Sequence, residues 1–185
     1  MAAAISTMLP LGTKAPEFTL TDTVTGQKRT LAELQSSKAT VIMFICNHCP
    51  YVKYILNEII KTASDYKPRG VSFIAISSND SEKFPDDSPE RMKELAEGMK
   101  FPFPYLYDED QTVALNYQAA CTPDFYIFDG EMLCVYRGQF DSARPGNDIP
   151  PSGRDIRDAL DQILAGTQVF RNQMPSMGCS IKWKG

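Results

Sequence analysis

The stretch TVIMFICNHCP, residues 40–50, decides the fold because it joins an apolar strand to a helix through two cysteines. Residues 40–45 are apolar on both faces, which is typical of a buried central strand. After Cys49 the apolar residues recur at helical spacing, which predicts an amphipathic helix that ends near Lys67 to Gly70. A second apolar strand over 71–76 completes a right-handed unit of two parallel strands joined by a helix.

Further strands and helices flank this unit along the chain. Residues 9–34 indicate a hairpin with a turn at Thr25-Gly26, and Asp129-Gly130 between two apolar runs predicts a second hairpin. The second hairpin makes the sheet mixed, because its strands run antiparallel. The predicted helices are one capped by Ser88 that reaches about Lys100, a short one over 109–117, and a last one that starts at a Ser152 cap and closes at Gly166.

Length and composition place the chain among ordinary globular proteins. The 185 residues fit one domain, 1–185, with 43% hydrophobic and 23% charged residues. A net charge of −4 without a block of Lys and Arg argues against a nucleic-acid binder. No apolar run approaches the roughly 18 residues of a membrane span, and residues 1–11 do not resemble a signal peptide. We therefore expect a cytoplasmic protein.

The two cysteines of Cys46-Asn47-His48-Cys49 favour thiol–disulfide chemistry. Two cysteines in this spacing at a helix N-terminus can form a disulfide, and the helix dipole and free N–H groups stabilise a thiolate there. We expect Cys46 to be the exposed, more acidic thiol that attacks, and Cys49 to lie deeper and resolve. An imidazolium at His48 would lower the pKa of the Cys46 thiol further and make the disulfide more oxidising.

Two other interpretations of this motif stay open. Cys46 and Cys49 can be buried thiols that pack as small hydrophobic side chains. Cys46, His48 and Cys49 can also be three ligands of a metal ion, but neither a second Cys-X-X-Cys motif nor a histidine pair accompanies them. Since cytosolic proteins rarely contain structural disulfides, the redox interpretation takes precedence. The chain has five cysteines, so at least one thiol is free or intermolecular.

The sequence Cys121-Thr122-Pro123 lies directly before an apolar strand, 124–128. A proline at the start of a strand can be cis, at a cost of only about 1 kcal/mol for an X–Pro bond. We expect a cis Pro123 next to the dithiol, which would expose the backbone of Thr122 to an extended substrate. An ordinary loop proline is the alternative. The role of Cys121 stays open, whereas Cys134 alternates with apolar neighbours and is expected in the core.

The tail, 167–185, is irregular in pattern but rich in apolar residues, so we expect it to pack on the body of the protein. Gly178 permits a close backbone approach beside Cys179. Cys179 would then lie on the same side of the molecule as Cys46, where it can resolve a mixed disulfide or a sulfenic acid. Otherwise Cys179 is a packed thiol. The tail side chains expected to be buried are Met174, Met177, Ile181 and Trp183.

Together, the strand–CxxC–helix unit, the Thr-Pro before a hairpin and the closing helix resemble the thioredoxin fold. Residues 11–20, LGTKAPEFTL, are similar to the start of redoxins of the peroxiredoxin and alkyl-hydroperoxide-reductase (thiol-specific-antioxidant-like) branch. Blocks 46–53, 121–129, 136–147 and 175–185 resemble a bacterial, peroxiredoxin-like group that carries a Cys-Asn-His-Cys motif. The resemblance implies a thioredoxin-like three-layer α/β/α sandwich with a central mixed sheet, an N-terminal β-hairpin extension and a C-terminal tail packed on the body.

The chain departs from the peroxiredoxin pattern at the reactive cysteine. Peroxiredoxins set their thiolate in a Pro-X-X-X-Thr-X-X-Cys motif, and neither Cys46 nor Cys49 has the proline or the threonine at the matching positions. Arg137 can supply the guanidinium that orients a peroxide, or it is a surface residue of an edge strand. Peroxide reduction by the usual route of the family is therefore disfavoured.

The chain also departs from the thioredoxin pattern. Thioredoxins carry a Trp before the motif and a buried acid in the preceding strand, which takes protons from the second cysteine. Here Ile45 replaces the Trp, and residues 40–45 contain no acid. Proton transfer from Cys49 would therefore need water or Asp124.

We thus expect a thiol–disulfide oxidoreductase of general redox homeostasis that uses the Cys46/Cys49 dithiol, with His48 tuning the thiol and Thr122-Pro123 presenting the substrate. The expected partners are a disulfide or thiol protein, or a small peroxide, with a thioredoxin or glutathione system as reductant. A bound cofactor is not required, because the electrons reside on sulfur. The alternatives are a thiol peroxidase in which Cys179 resolves, a metal-binding or delivery module through Cys46, Cys49 and His48, and a redox-silent binding scaffold.

Overall fold

A seven-stranded mixed sheet forms the centre of the fold in the computed structural model, which describes residues 3–185. In spatial order its strands are β3 (Lys28–Thr30), β2 (Thr19–Asp22), β6 (Tyr105–Tyr107), β5 (Val71–Ser77), β4 (Ala39–Phe44), β8 (Asp124–Asp129) and β9 (Cys134–Gly138). Strands β4, β5 and β6 are parallel, and the other neighbouring pairs are antiparallel. The sheet confirms the predicted mixed architecture, with the β2–β3 hairpin as the N-terminal extension.

Helices cover both faces of this sheet. They are α1 (Leu31–Leu34), α2 (Pro50–Tyr66), α3 (Pro89–Gly98), α4 (Thr112–Asn116) and α5 (Arg154–Leu164). Buried side chains of α2, α3 and α5 belong to one core cluster, whereas those of α1 and α4 belong to a second cluster on the opposite face. The predicted three-layer α/β/α arrangement is therefore confirmed. Within residues 3–185, the helices are all too short or too polar to cross a membrane.

Strand β4 lies at the centre of the sheet because its side chains are apolar on both faces. Val41 and Met43 belong to the core cluster of α2, whereas Ile42 and Phe44 belong to the opposite one. The first residue of α2 is Pro50, so the Cys-X-X-Cys motif lies in the loop that leads into the helix. The buried residues of α2 include a stripe that matches the predicted spacing: Val52, Ile55, Leu56, Ile59 and Ala63.

A second, three-stranded antiparallel sheet brings the N-terminal and C-terminal segments together. It consists of β1 (Ala3–Ile5), β10 (Met177–Ser180) and β7 (Cys121–Thr122), with β10 in the middle. Cys179 pairs with Ala3 on one side and with Thr122 on the other. Gly178 lies so close to β7 that a Cβ atom at this position would overlap with the carbonyl oxygen of Thr122. The tail therefore packs on the body, as predicted, and does so as a paired strand.

The prediction that the large apolar side chains of the tail are buried is correct only for Ile181, which is 3% exposed. Backbone hydrogen bonds hold the tail instead. Beyond β10 the Lys182 amide donates to Asn79 Oδ1, and the Lys182 carbonyl accepts from the Asp80 amide, both at 2.8 Å. The side chains that stay exposed, at 53%, 39% and 39%, are Met174, Met177 and Trp183.

The start of α5 also differs from the prediction. Gly153, and not Ser152, occupies the N-cap position, with a left-handed φ of +64°. The Asp141 carboxylate accepts hydrogen bonds from the amides of Ser152 and Gly153, each at 2.7 Å. The Asp141 carboxylate thus fixes the loop before the helix, while the Ser152 hydroxyl accepts from the amide of Arg154, the first residue of α5, at 3.3 Å.

We expect Gly178→Ala to destabilise the protein by about 1–3 kcal/mol, because the added methyl group forces β10 away from Thr122. Gly98→Ala is the matched control, since a Cβ atom at this helical position meets no atom within 4 Å, and it should keep stability or raise it by up to about 1 kcal/mol. Urea unfolding of both variants measures the difference. Equal midpoints would contradict the close packing of β10 on β7.

Candidate active site

The motif cysteines lie at the edge of the sheet where strands β4 and β5 end. Just beyond β4, the Ile45 amide donates to the Ile76 carbonyl of β5 at 3.0 Å. Cys49 is the N-cap residue of α2, and its carbonyl accepts a helical hydrogen bond from the Lys53 amide at 3.0 Å. Cys46 comes earlier in the loop, so Cys49 is the motif cysteine at the helix N-terminus.

The three cysteines that we assigned to the site are all buried. The exposed fraction is 1% for Cys46, 0% for Cys49 and 3% for Cys179. The expectation that Cys46 lies at an exposed helix end is therefore wrong, because residues of β7 and β10 cover the loop. Cys49 Sγ lies 3.0 Å from Cys179 Sγ, so the tail cysteine is beside the motif, as predicted.

Thr122 contacts both thiols of the motif. Its hydroxyl oxygen lies 3.3 Å from Cys46 Sγ, and its carbonyl oxygen lies 3.1 Å from Cys49 Sγ, within hydrogen-bonding reach of the thiol. The Thr122–Pro123 peptide bond is cis, as predicted. The backbone of Thr122 is not exposed to an extended substrate, contrary to expectation, because β10 already pairs with it through Cys179.

Asp87 is a site residue that the sequence analysis missed. Its carboxylate is completely buried in the turn before α3. Oδ1 accepts from the amides of Asn47 and His48 at 2.8 and 3.1 Å. Oδ2 accepts from His48 Nδ1 and Asn79 Nδ2 at 2.5 and 2.8 Å. The available signal was position: Asp87 ends the polar loop after β5, and loops that follow parallel strands meet at one edge of a sheet.

His48 is directed toward Asp87 more than toward the thiol. Its Nδ1 lies 2.5 Å from Asp87 Oδ2 and 4.0 Å from Cys46 Sγ. The ring stacks on Phe84 at a centroid distance of 5.3 Å, and its buried Nε2 has no hydrogen-bond partner among the described residues. These contacts hold the loop of the motif on the sheet edge.

The surroundings of the motif shift the pKa values of its two cysteines in opposite directions. The pKa of Cys49 is lowered to about 5, because the Cys46 thiol, the Cys179 thiol and the Val52 amide hydrogen-bond to its sulfur. The pKa of Cys46 is raised, because its thiol donates to Cys49, is buried, and lies near the carboxylate of Asp87. These shifts run opposite to the prediction that Cys46 is the most acidic thiol, and the helix N-terminus likewise lies at Cys49.

Two residues whose role stayed open lie outside the thiol cluster. Cys121 is buried, which raises its pKa, and its Sγ contacts the Pro123 carbonyl at 3.6 Å. Arg137 donates from Nε to the Leu9 carbonyl at 2.9 Å and from its guanidinium to Gln173 Oε1 at 2.7 Å. These bonds tie the N-terminal segment to the tail, so Arg137 is engaged away from the cysteines.

Asp124 is engaged on the other side of its strand. Its carboxylate accepts from the Tyr126 hydroxyl at 2.9 Å, and burial raises its pKa to about 7. Residues 124 and 126 share one face of β8, whereas Phe125 faces the core cluster that contains the motif cysteines. Among the described residues, no hydrogen bond joins Asp124 to Cys49. Direct proton transfer from Cys49 to Asp124, one of the two expected routes, therefore has no hydrogen bond to support it.

The potential metal ligands that come together differ from those expected. Among the described residues, Cys46, His48 and Asp87 form a group whose ligating atoms lie within 4.8 Å of one another. Cys49 is not part of this group and contacts β7 and β10 instead. Asp87 hydrogen-bonds to the His48 ring and to the His48 backbone amide. These hydrogen bonds are sufficient to explain why the side chains lie close together.

Known proteins share both the sequence pattern and the architecture. Residues 11–137 match the sequence model of the AhpC/TSA family. No curated protein matches the chain significantly. The crystal structure of an uncharacterized conserved protein from Geobacillus kaustophilus is 58% identical over 100% of this chain and 97% of that chain, with a TM-score of 0.98.

Two further crystal structures extend the likeness. A hypothetical protein from Sinorhizobium meliloti 1021 is 45% identical over 98% of both chains, with a TM-score of 0.95. Peroxidoxin BcpB from Mycobacterium tuberculosis is 19% identical over 88% of this chain and 98% of that chain, with a TM-score of 0.60. This last likeness is one of fold, and it confirms the thioredoxin-like architecture.

We expect a thiolate on Cys49 to persist down to about pH 5 in the reduced protein, because hydrogen bonds lower the pKa of this thiol to about 5. The ultraviolet absorbance of the thiolate, followed against pH, measures this step. Cys49→Ser should lose the step. Cys134→Ser should keep it, since Cys134 is a core residue, as predicted, and lies in the opposite core cluster. A step that remains in Cys49→Ser and is lost in Cys46→Ser would reverse the assignment.

Asp87→Asn should lower the pKa of Cys46 toward the ordinary value of about 8.5, because it removes a buried negative charge near this thiol. It should also lower the free energy of unfolding by about 1–3 kcal/mol, since an amide cannot accept all the hydrogen bonds of the carboxylate. Absorbance titration and urea unfolding measure the two effects. Asp86→Asn, at an exposed neighbouring position, is the control. If both variants behave alike, the carboxylate of Asp87 does not act on the motif.

Proposed function

The chain belongs to the AhpC/TSA family, and we propose that this redoxin is a thiol–disulfide oxidoreductase that cycles Cys46 and Cys49 between dithiol and disulfide. The observation that carries the proposal is that Thr122 contacts both cysteines. Its hydroxyl oxygen lies 3.3 Å from Cys46 Sγ, and its carbonyl oxygen lies 3.1 Å from Cys49 Sγ. Two neighbouring thiols, one of them with a lowered pKa, are the reactants that thiol–disulfide exchange requires. Its general role would be redox homeostasis.

Cys46 makes the first attack in this mechanism, and Cys49 acts as its base. As Cys46 Sγ bonds to one sulfur of the substrate disulfide, its proton passes to the Cys49 thiolate, to which it is hydrogen-bonded. The substrate disulfide breaks and releases one sulfur as a thiolate. Cys49 then attacks Cys46 in the mixed disulfide, its proton passes to the released thiolate, and the second substrate sulfur leaves. The dithiol is oxidised and the substrate is reduced.

The substrate would dock on the surface around Pro123. A small pocket there is lined by Pro123 together with residues that include Tyr51, Gln139, Arg144, Ser176 and Met177. In this proposal Thr122 holds the two sulfurs, Pro123 contacts the substrate, and His48 holds the loop. A thioredoxin or glutathione system would restore the dithiol, and we propose a cytoplasmic setting because the resting dithiol needs a reducing compartment.

A second candidate, a thiol peroxidase, is favoured by the burial of the cluster. A small peroxide reaches sulfurs that are at most 3% exposed more easily than a protein disulfide does. The Cys49 thiolate would attack one peroxide oxygen, which leaves a sulfenic acid on Cys49 and releases water or an alcohol. The Cys179 thiol, 3.0 Å away, would displace water from that sulfenic acid and form a disulfide. The missing Pro-X-X-X-Thr-X-X-Cys motif weighs against this candidate.

Reaction of the reduced protein with glutathione disulfide tests the proposal. We expect the wild type to release two glutathione thiols per protein molecule, because the second attack completes the cycle. Cys49→Ser should release one and retain glutathione on Cys46, slowly at neutral pH since the base is missing. Cys46→Ser should release none, and Cys134→Ser should match the wild type. Mass spectrometry and thiol counting measure these products.

The same variants separate the two candidates. Glutathione trapped on Cys49 in Cys46→Ser, or no release by the wild type, would contradict the exchange mechanism. A much faster reaction with hydrogen peroxide than with glutathione disulfide, retained in Cys46→Ser and lost in Cys49→Ser, would establish the peroxidase instead.

A further inference from the structure

Strand β10 occupies the place that an extended substrate would take at this site. It pairs through Cys179 with Thr122, the residue that precedes the cis proline. This pairing puts Cys179 Sγ 3.0 Å from Cys49 Sγ, within reach of the sulfur that would form half of a Cys46–Cys49 disulfide. The tail thus presents a cysteine on an extended strand to the dithiol of its own chain.

The position of Cys179 is fixed by the fold on several sides. Strand β10 is paired along both edges, with β1 and with β7. Gly178 allows the strand to approach the Thr122 carbonyl, since any side chain there would overlap with it. Cys121 is displaced by one register position, pairs with Ser180, and directs its sulfur to a backbone carbonyl. Of the two thiols in this small sheet, Cys179 is the one aligned with Cys49.

We propose that β10 is a built-in substrate: Cys179 exchanges with the Cys46–Cys49 disulfide and gives a resting oxidised form with a Cys49–Cys179 bond and a free Cys46 thiol. The proposal rests on the proposed function, which supplies the Cys46–Cys49 bond. In the exchange Cys179 Sγ bonds to Cys49 Sγ, the Cys46–Cys49 bond breaks, and the proton of Cys179 passes to Cys46. Because one disulfide replaces another, no oxidant or reductant is consumed.

This exchange would have two consequences for the site. It returns Cys46, the attacking sulfur, to the thiol form while the protein as a whole stays oxidised. It also links the N-terminus of α2 covalently to β10, so β10 stays paired with the backbone of Thr122. The oxidised protein would therefore be closed to extended substrates until a reductant opens the Cys49–Cys179 bond.

Disulfide mapping by mass spectrometry tests the proposal on the full chain, after reaction with glutathione disulfide, acid quenching and alkylation. In the wild type we expect a Cys46–Cys49 bond at early times and a Cys49–Cys179 bond at equilibrium, with two thiols lost at both stages. Cys179→Ser should stop at the Cys46–Cys49 bond. Cys121→Ser, altered at the neighbouring register position, should follow the wild type.

The outcomes distinguish this inference from the function on which it rests. A wild type that loses two thiols but keeps the Cys46–Cys49 bond at equilibrium, as Cys179→Ser does, overturns the built-in substrate and leaves the proposed function intact. A wild type that loses no thiols overturns both. As a second readout, oxidation should slow amide hydrogen exchange of residues 177–180 in the wild type, and an equal effect in Cys179→Ser would count against a covalent link.

Discussion

The double contact of Thr122 with the two motif thiols is the constraint on which the rest of the site depends. Its hydroxyl lies against Cys46, its carbonyl against Cys49, and its strand pairs with β10. Because the two oxygens belong to one residue, the covalent geometry of that residue sets both sulfur positions together. The tail cysteine, Cys179, reaches the same place only because its strand pairs with this residue.

Negative charge is divided between two places in the site. Asp87 is buried on the side of Cys46, where the loop amides and His48 donate to it. The thiolate of Cys49 is stabilised by the start of α2 and by the neighbouring thiols. In the proposed mechanism, this division makes Cys46 the proton donor and Cys49 the proton acceptor. Strand β4 can therefore lack the buried acid that thioredoxins carry in the preceding strand.

Features that depend on consecutive residues were predictable from the sequence, and contacts between distant segments mostly were not. The apolar run of β4 and the stripe of α2 lie within single segments, so their periodicity indicated the strand and the helix. Asp87 was missed because it reaches the motif from 40 residues away. The acidity of Cys46 was misjudged because it depends on whether α2 begins beside Cys46 or Cys49. The tail was expected to dock through side chains such as Trp183, whereas backbone pairing and Gly178 hold it.

A redox-active Cys46–Cys49 dithiol is tested most directly by equilibrating the protein in glutathione buffers of increasing disulfide content and counting the remaining thiols. We predict one two-electron transition in which two of the five free thiols are lost together, without stable attachment of glutathione. Cys121 and Cys134 should remain free on both sides of the transition. Retention of all five thiols across the series, or loss of a single thiol with glutathione bound to it, would contradict a dithiol oxidoreductase.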